Sequence, residues 1–424
     1  MTLSKNKNLS EKNPSALSII FRSLRYRNYR LFFSGQTISL VGTWMQTIAM
    51  SWLVYRITSS PFALGVVAFA SQIFNFILGP FIGVFVDRYN RHRILVITQI
   101  FSMVQAFILF FLVTSGLIAT WHIIVLSMFL GIINSLDVPA RQSFVVDLVE
   151  KKEDLGNAIA LNSFMFNIAR LIGPAVAGII IALTGEAFCF LINGLSYIAV
   201  IIALLMMKIT RKNIKKSEAN MLEELKQGFK YSFSSTPIKT ILLLTAITSL
   251  MGMSYAVLMP VFAVHIFGGG PQDYGFLMGA VGVGALLGTI YLASHTSILS
   301  LTKKITSASA VFGISLVAFA LSKNLWLSVV ILGFIGFSML VQLASSNTVL
   351  QSIIEDDKRG RVMSLYTMAF MGVSPFGSLL AGGLASKIGS PNTLVIGGLF
   401  CVFGSCLFAA KEKILRKAVE DMHL

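Results

Sequence analysis

Apolar residues in this chain gather into twelve long runs, near 31–54, 62–86, 94–117, 118–136, 157–184, 187–207, 240–266, 274–297, 305–322, 324–347, 362–386 and 392–410. A helix needs about 20 apolar residues to cross the hydrocarbon of a bilayer. Each run therefore predicts a membrane-spanning helix, and the longer ones predict tilt or extension into the interface. The longest polar stretch, from Lys208 to about Pro237, divides the runs into six and six. Within it Met221, Leu222, Leu225, Phe229 and Phe233 recur at helical spacing among Lys226 and Lys230. That pattern predicts an amphipathic helix on the membrane surface, either a tether or a regulatory binding segment. The expected fold is an all-α integral membrane protein with two pseudo-symmetric six-helix bundles. Its parts are an N-terminal segment 1–30, bundles 31–207 and 240–410, a linker 208–239 with the amphipathic helix, and a tail 411–424.

Composition agrees with this reading and charge orients it. The 424 residues are 55% hydrophobic and 12% charged, with a net charge of +16. Of the 34 Lys and Arg, thirty fall before the first run, in every second loop or after the last run. Only Arg56, Lys323 and Lys387 fall in the alternate loops, and Arg170 lies inside a run. Basic loops stay on the cytoplasmic side during insertion, so both termini are expected in the cytoplasm and the positive charge reflects topology. Nucleic-acid binding needs a soluble basic face with stacking residues, and the chain has none. The first 20 residues lack an apolar core, which argues against a cleaved signal peptide. Cys189, Cys401 and Cys406 sit inside runs, without metal-ligand spacing.

The halves echo each other. Asn134 to Gly178 reads as a polar helix end, a charged loop, then a helix with Gly173-Pro174. Asn347 to Gly383 repeats the plan, with Gln351, Arg359-Gly360-Arg361 and Ser374-Pro375. Repeated six-helix halves point to a rocking transporter with its site at the interface between them.

After the second run the chain reads Gly83-Val84-Phe85-Val86-Asp87-Arg88-Tyr89-Asn90-Arg91-His92-Arg93. This resembles the loop signature of the major facilitator superfamily, with Asn90 where a Gly is usual and His92 where a cation is usual. Gly83 allows close helix approach, and Asp87 at a helix end can accept bonds from a neighbouring N-terminus. The resemblance implies that Gly83, Asp87, Arg88, Arg91 and Arg93 latch the state open to the outside; the plain alternative is a positive-inside turn. Three further stretches, Asp137–Ser143, Asn157–Ser163 and Asn167–Pro174, resemble the enterobactin-exporter and macrolide-efflux branch, a group of drug:proton antiporters. Gly173, Pro174 and Gly178 approximate the antiporter signature, with Ala169 and Ala177 standing where it has glycines. Small residues at that spacing also serve tight packing on their own.

In the fold so implied, the first helix of each three-helix unit lines a cavity. Polar stripes at steps of three, four or seven mark those faces: Gln36, Thr43 and Thr47; Ser127, Gly131 and Asn134; Thr245, Thr248, Ser249, Gly252 and Tyr255; Ser338, Gln342, Ser345 and Ser346. Interhelical packing explains such stripes equally well. All 18 acidic residues are assigned to loops or termini, with only Asp87 and Asp137 touching helix ends. Arg170, about 13 residues or roughly 20 Å into its run, is then the one full charge at depth. A charge there is costly and is kept for a purpose. It either grips an anionic or oxygen-rich substrate, with Phe166 and Asn167 beside it, or bonds neighbouring carbonyls, Asn and Gln side chains, or Asp137. Asp137 is the candidate proton carrier through exchange with Arg141 or Arg170; a structural Asp137–Arg141 pair is the alternative.

The expectation is a monomeric secondary transporter of the inner membrane. It exports a siderophore- or macrolide-like molecule, with no cofactor and a proton gradient as driving force. Its partners are the small-molecule substrate and the bilayer. Import of an organic anion on the same scaffold, and a non-transporting membrane receptor, are the alternatives. No nucleophile, metal or nucleotide-loop constellation points to an enzyme.

Overall fold

A computed structural model describes residues 21–208, 221–294, 297–355 and 358–421, without the side chains at 80, 81, 83, 84, 87, 221–225 and 421. Thirteen helices follow a short 3-10 turn, Arg22–Arg25, and no strand occurs among the described residues. The first half comprises α1 (Arg27–Thr58), α2 (Pro61–Arg88), α3 (Arg91–Thr114), α4 (Thr120–Val145), α5 (Lys152–Thr184) and α6 (Glu186–Leu205). Helix α7 (Met221–Ser234) lies between the halves in sequence. The second half comprises α8 (Thr236–Ile266), α9 (Pro271–Ala293), α10 (Ile298–Leu321), α11 (Leu325–Ile353), α12 (Arg359–Ile388) and α13 (Ser390–Asp421). Eleven of these helices are long and apolar enough to cross a membrane. Helix α1 falls outside that group; it is 32 residues long and interrupted by Gln36, Thr37, Thr43, Gln46 and Thr47.

Local chemistry sets the helix ends. The Ser60 and Asn90 side chains accept from the backbone N–H of Ala63 and Arg93, capping α2 and α3. Gly185 (φ +87°) and Gly389 (φ +85°) turn the chain between α5 and α6 and between α12 and α13, in a backbone region that side chains disfavour. Trp121 and Trp326 open α4 and α11 at equivalent places and are largely exposed, as interfacial aromatics are.

Helices outrun their apolar runs at the end that carries the basic loops. The fourth run stops at 136, but α4 continues to Val145. Asp137 and Arg141 are therefore inside a helix, which corrects their placement at a helix end and in a loop. Arg170 is consequently not the sole cation within a helix. Likewise α13 runs to Asp421, so most of the expected tail is helical. Glu186 opens α6 and is buried against Arg56, their atoms 2.7 Å apart, rather than lying in a loop.

The two bundles meet through α2 against α12 and α5 against α9. At each crossing two glycines face each other. A Cβ on Gly65 would lie 2.7 Å from the Ser378 carbonyl oxygen and 3.1 Å from the Gly382 Cα. A Cβ on Gly178 would lie 2.6 Å from the Pro271 carbonyl oxygen and 3.0 Å from the Gly275 Cα. These distances leave no room for a side chain, so backbones touch directly. Both crossings lie at the end opposite the basic loops, called here the far end. There a single apolar cluster spans both halves, including Met45, Ile48, Ala177, Leu258, Phe262 and Tyr274.

The basic end is arranged differently. Its apolar residues form two separate clusters. One, around Phe32, Leu95 and Phe144, belongs wholly to the first half; the other, around Ile241, Ile305 and Val349, belongs wholly to the second. Along α2 the rings of Phe69 and Phe76 meet Phe376 of the other half edge-on, at 5.7 and 5.3 Å. One turn further on, a Cβ at Gly79 would meet nothing within 4 Å. The halves are joined at the far end and parted at the basic end.

Candidate functional site

Arg170 stands where the joined region gives way to the parted one. It is 18 residues from the start of α5 and 14 from its end, so about 27 and 21 Å along the axis. Mid-helix depth holds, as the sequence predicts. Its guanidinium lies over the Trp44 ring at 5.9 Å, within cation–π range. The Phe166 ring meets Trp44 edge-on at 5.9 Å. From the other half, Tyr255 is buried in the apolar cluster that joins the halves. No carboxylate among the described residues pairs with Arg170, and it does not reach Asp137. The constellation is one cation and two aromatic rings, all from the first half.

The packing that builds this site uses the predicted glycine motif. A Cβ on Gly173 would lie 2.5 Å from the Trp44 Cβ, so only glycine lets α1 bring Trp44 alongside α5. One turn on, the Pro174 carbonyl and Gly178 face Gly275 of α9. Gly173, Pro174 and Gly178 thus all serve helix contacts, within the half and across to the other.

The polar stripes divide. Asn167 is half-buried and donates to its own Ser163 carbonyl at 2.9 Å. Thr47 is exposed and donates to the Thr43 carbonyl at 2.9 Å. Thr43 meets the Tyr197 hydroxyl at 3.4 Å, inside the first half rather than at the interface. Gln36 and Gln342 are buried at 2% and 0% exposure. Asn134 is half-buried. Gly131 packs on α2, its Cβ position 2.7 Å from the Ser71 carbonyl oxygen. Gly252 packs on Phe312, and Ser249 donates to the Phe370 carbonyl. Of the fourth-stripe residues only Ser338 has a partner, its own helix backbone at Phe334 and Ile335. Tyr255 is 2% exposed, inside the apolar cluster that joins the halves.

Asp137 is 7% exposed. Its Oδ1 accepts from Thr98 Oγ1 and Gln99 Nε2, each at 2.8 Å, and its Oδ2 is 3.7 Å from Arg141 Nε. The carboxylate thus ties α4 to α3. Further along the first half, amides run in series. Asn193 donates to Gln46 at 2.8 Å, Gln46 donates to Gln105 at 2.8 Å, and Gln105 donates to the Leu126 carbonyl at 3.4 Å. Asn193 also donates to the Tyr197 hydroxyl at 3.4 Å. This chain joins α6, α1, α3 and α4.

At the basic end, Arg91 pairs with Asp147 at 3.1 Å, and His92 Nε2 meets the Leu204 carbonyl at 2.8 Å. Arg88 and Arg93 are exposed. The side chains of Gly83 and Asp87 lie outside the described residues, and so does the centre of the expected latch. Asp154, opening α5, pairs with Arg22 and Arg25 and accepts from the Tyr26 hydroxyl at 2.6 Å.

Sequence reasoning missed Trp44, Gln46, Gln105, Asn193 and the Asp154 cluster. The amides were visible as polar residues deep inside apolar runs. Trp44 had no such mark.

Comparison with known proteins fits this geometry. The family profile described as transmembrane secretion effector matches residues 19–422. The staphyloferrin A transporter of Staphylococcus aureus is 28% identical over 395 residues, covering 92% of this chain and 98% of that one. Macrolide efflux protein A of Streptococcus pyogenes is 21% identical over 90% of this chain and 96% of its own length. The enterobactin exporter EntS of Shigella boydii is 24% identical over 85% of this chain and 86% of its own length. Among solved structures, a bacterial homologue of the lysosomal transporter Spinster, in an inward-facing unoccupied conformation, superposes with a TM-score of 0.69. It is 14% identical and covers 93% of this chain and 98% of its own.

Proposed function

We propose that this chain, which belongs to the transmembrane secretion effector family of major facilitator transporters, exports an organic small molecule across the inner membrane by alternating access. The observation that carries the reading is the contrast between joined far end and parted basic end, with Arg170 at the boundary. Positive loops are retained in the cytoplasm, so the parted end is the cytoplasmic mouth. Cargo of siderophore or macrolide type enters there and meets Arg170, Trp44 and Phe166. The bundles then rock about the interface, parting the two glycine crossings and closing the basic end. Asp87, Arg88, Arg91 and Arg93 latch that second state.

Asp137 is the proposed proton carrier. In the charged form it holds α4 to α3 through Thr98 and Gln99; a proton weakens the pull on Arg141 and loosens that tie. The transporter works as a monomer, with no cofactor beyond the proton gradient.

The test compares accumulation of carboxylate siderophores and macrolides in cells with and without the chain, then with Asp137→Asn. Lower accumulation with the wild-type chain, lost with Asp137→Asn, supports the reading; equal accumulation in all three strains sinks it. Import of an organic anion is the competing reading, favoured by Arg170 having no described carboxylate partner. Uptake that rises with the chain present selects it.

A further inference from the structure

Helix α7 has two unlike faces. Gly228 and Ser232 lie on the docked one. A Cβ on Gly228 would lie 3.1 Å from the Arg361 Cβ, and Ser232 is fully buried. Arg361 Nη1 donates to Gln227 Oε1 at 2.9 Å, and the Lys358 ammonium lies 4.6 Å from the Tyr231 ring centroid. These contacts fix α7 to the start of α12, so it belongs with the second half. The other face carries Phe229 and Phe233, one turn apart and 44% and 45% exposed. Their rings stack at 5.7 Å with planes 11° apart. Lys226 and Lys230 precede the two rings by three residues each, which sets them along the same edge, and both are exposed. Lys239 Nζ lies 6.0 Å from the Phe233 ring centroid. The result is an aromatic ledge bordered by three ammonium groups.

Lys239 also fixes the height of the ledge. It stands immediately before the apolar run that begins at 240, so Phe233 lies where α8 enters the hydrocarbon. Rings at that height reach the acyl boundary, while the ammonium groups beside them extend to the headgroups. Charge then selects among headgroups. Residues 208–239 carry eight Lys and Arg against three acidic residues. A basic stretch beside a membrane helix attracts anionic lipid; a zwitterionic surface gives these cations nothing to select.

We infer that α7 is a docking surface for anionic phospholipids of the cytoplasmic leaflet. Phe229 and Phe233 seat below the headgroups, and Lys226, Lys230 and Lys239 hold the lipid phosphates. Because the opposite face of α7 is fixed to α12, the leaflet holds the basic end of the second half. The linker helix is thus a tether and a binding surface at once. The surface is separate from Arg170 and depends on neither the cargo nor the direction of transport.

The test reads the depth of the ledge directly. The full chain, with Cys406→Ser to remove the exposed thiol, carries one nitroxide at Phe229→Cys, Phe233→Cys or Ser234→Cys. It is placed in nanodiscs of phosphatidylcholine, alone or mixed with phosphatidylglycerol. Collision of the label with oxygen is compared with collision with a water-soluble nickel chelate. With phosphatidylglycerol, the labels at 229 and 233 meet oxygen, and the label at the exposed Ser234 meets the chelate. Lys226→Gln together with Lys230→Gln lowers the ratio of inserted to withdrawn rings by roughly thirtyfold, the loss of two cations at an anionic surface. Phosphatidylcholine alone gives at least as large a fall with both lysines present. Chelate access at 229 and 233 in both bilayers overturns the surface. Equal insertion with and without phosphatidylglycerol overturns the choice of anionic lipid. Labels shielded from both reagents mean that protein covers the ledge, a partner or a second copy, and overturn it too. Two label sites read separately, and lysine variants that leave the docked face untouched, keep a local folding defect from deciding the result.

Discussion

The two halves share a fold but treat buried polar groups in opposite ways. In the first half, Gln46, Gln105, Asn193, Thr98, Gln99 and Asp137 bond one another across four helices. In the second, Gln342, Ser345, Ser346 and Thr245 are buried with unpartnered side-chain atoms, and both amide atoms of Gln342 are among them, whereas the described first half leaves only Gln36 Nε2 and Gln99 Oε1 so placed. A satisfied buried network fixes one arrangement of its helices. Unpartnered buried groups do the reverse, because each costs about 1–3 kcal/mol and is relieved by movement. The difference casts the first half as the stiff frame holding the charged residues and the second as the part that yields.

The largest expected break in this contrast comes from Asp137→Ala. It strands the largely buried Arg141 and should cost about 3–5 kcal/mol, read as a fall in detergent thermal stability. A loss under 1 kcal/mol would mean the carboxylate is not part of the frame. Gln46→Leu should follow, at about 1–3 kcal/mol, since it leaves Asn193 and Gln105 without their amide partner. Gly65→Ala and Gly275→Ala test packing rather than polarity. Each overpacks one crossing by about 1–3 kcal/mol, and both should lower detergent thermal stability to the same degree. Unequal effects would show that the halves differ in packing too. The smallest effect belongs to Gln342→Leu, which removes unpartnered atoms and should leave stability unchanged or slightly raised. A loss like that of Gln46→Leu would erase the contrast.

Helix number and alternation were readable because hydropathy reports the bilayer, and charge reports its sides. Helix ends were not. Backbone bonding carries α4 nine residues beyond its apolar run to Val145, because a helix in water needs no apolar surface to continue. Asp137 was misplaced for that reason. The depth of Arg170 was readable from its position in a run. Its ring partner was not, since Trp44 looks like any aromatic in an apolar stretch. The direction of the stripes also escaped the sequence: Thr43 follows the same spacing as Thr47 yet points into the half. Spacing names a face, while packing decides what that face meets.

The two glycine crossings are copies of one design. Pro61 and Gly65 match Pro271 and Gly275 in spacing, and Gly178 and Gly185 match Gly382 and Gly389. Each crossing sets the Pro-to-Gly helix start of one half against the Gly-to-Gly helix end of the other. One half alone therefore owns both surfaces of the seam. Such self-complementarity is the mark of an isologous two-fold interface: the joint is that of a homodimer fused into a single chain. Its two contacts are one joint made twice, each with the surfaces of the halves exchanged.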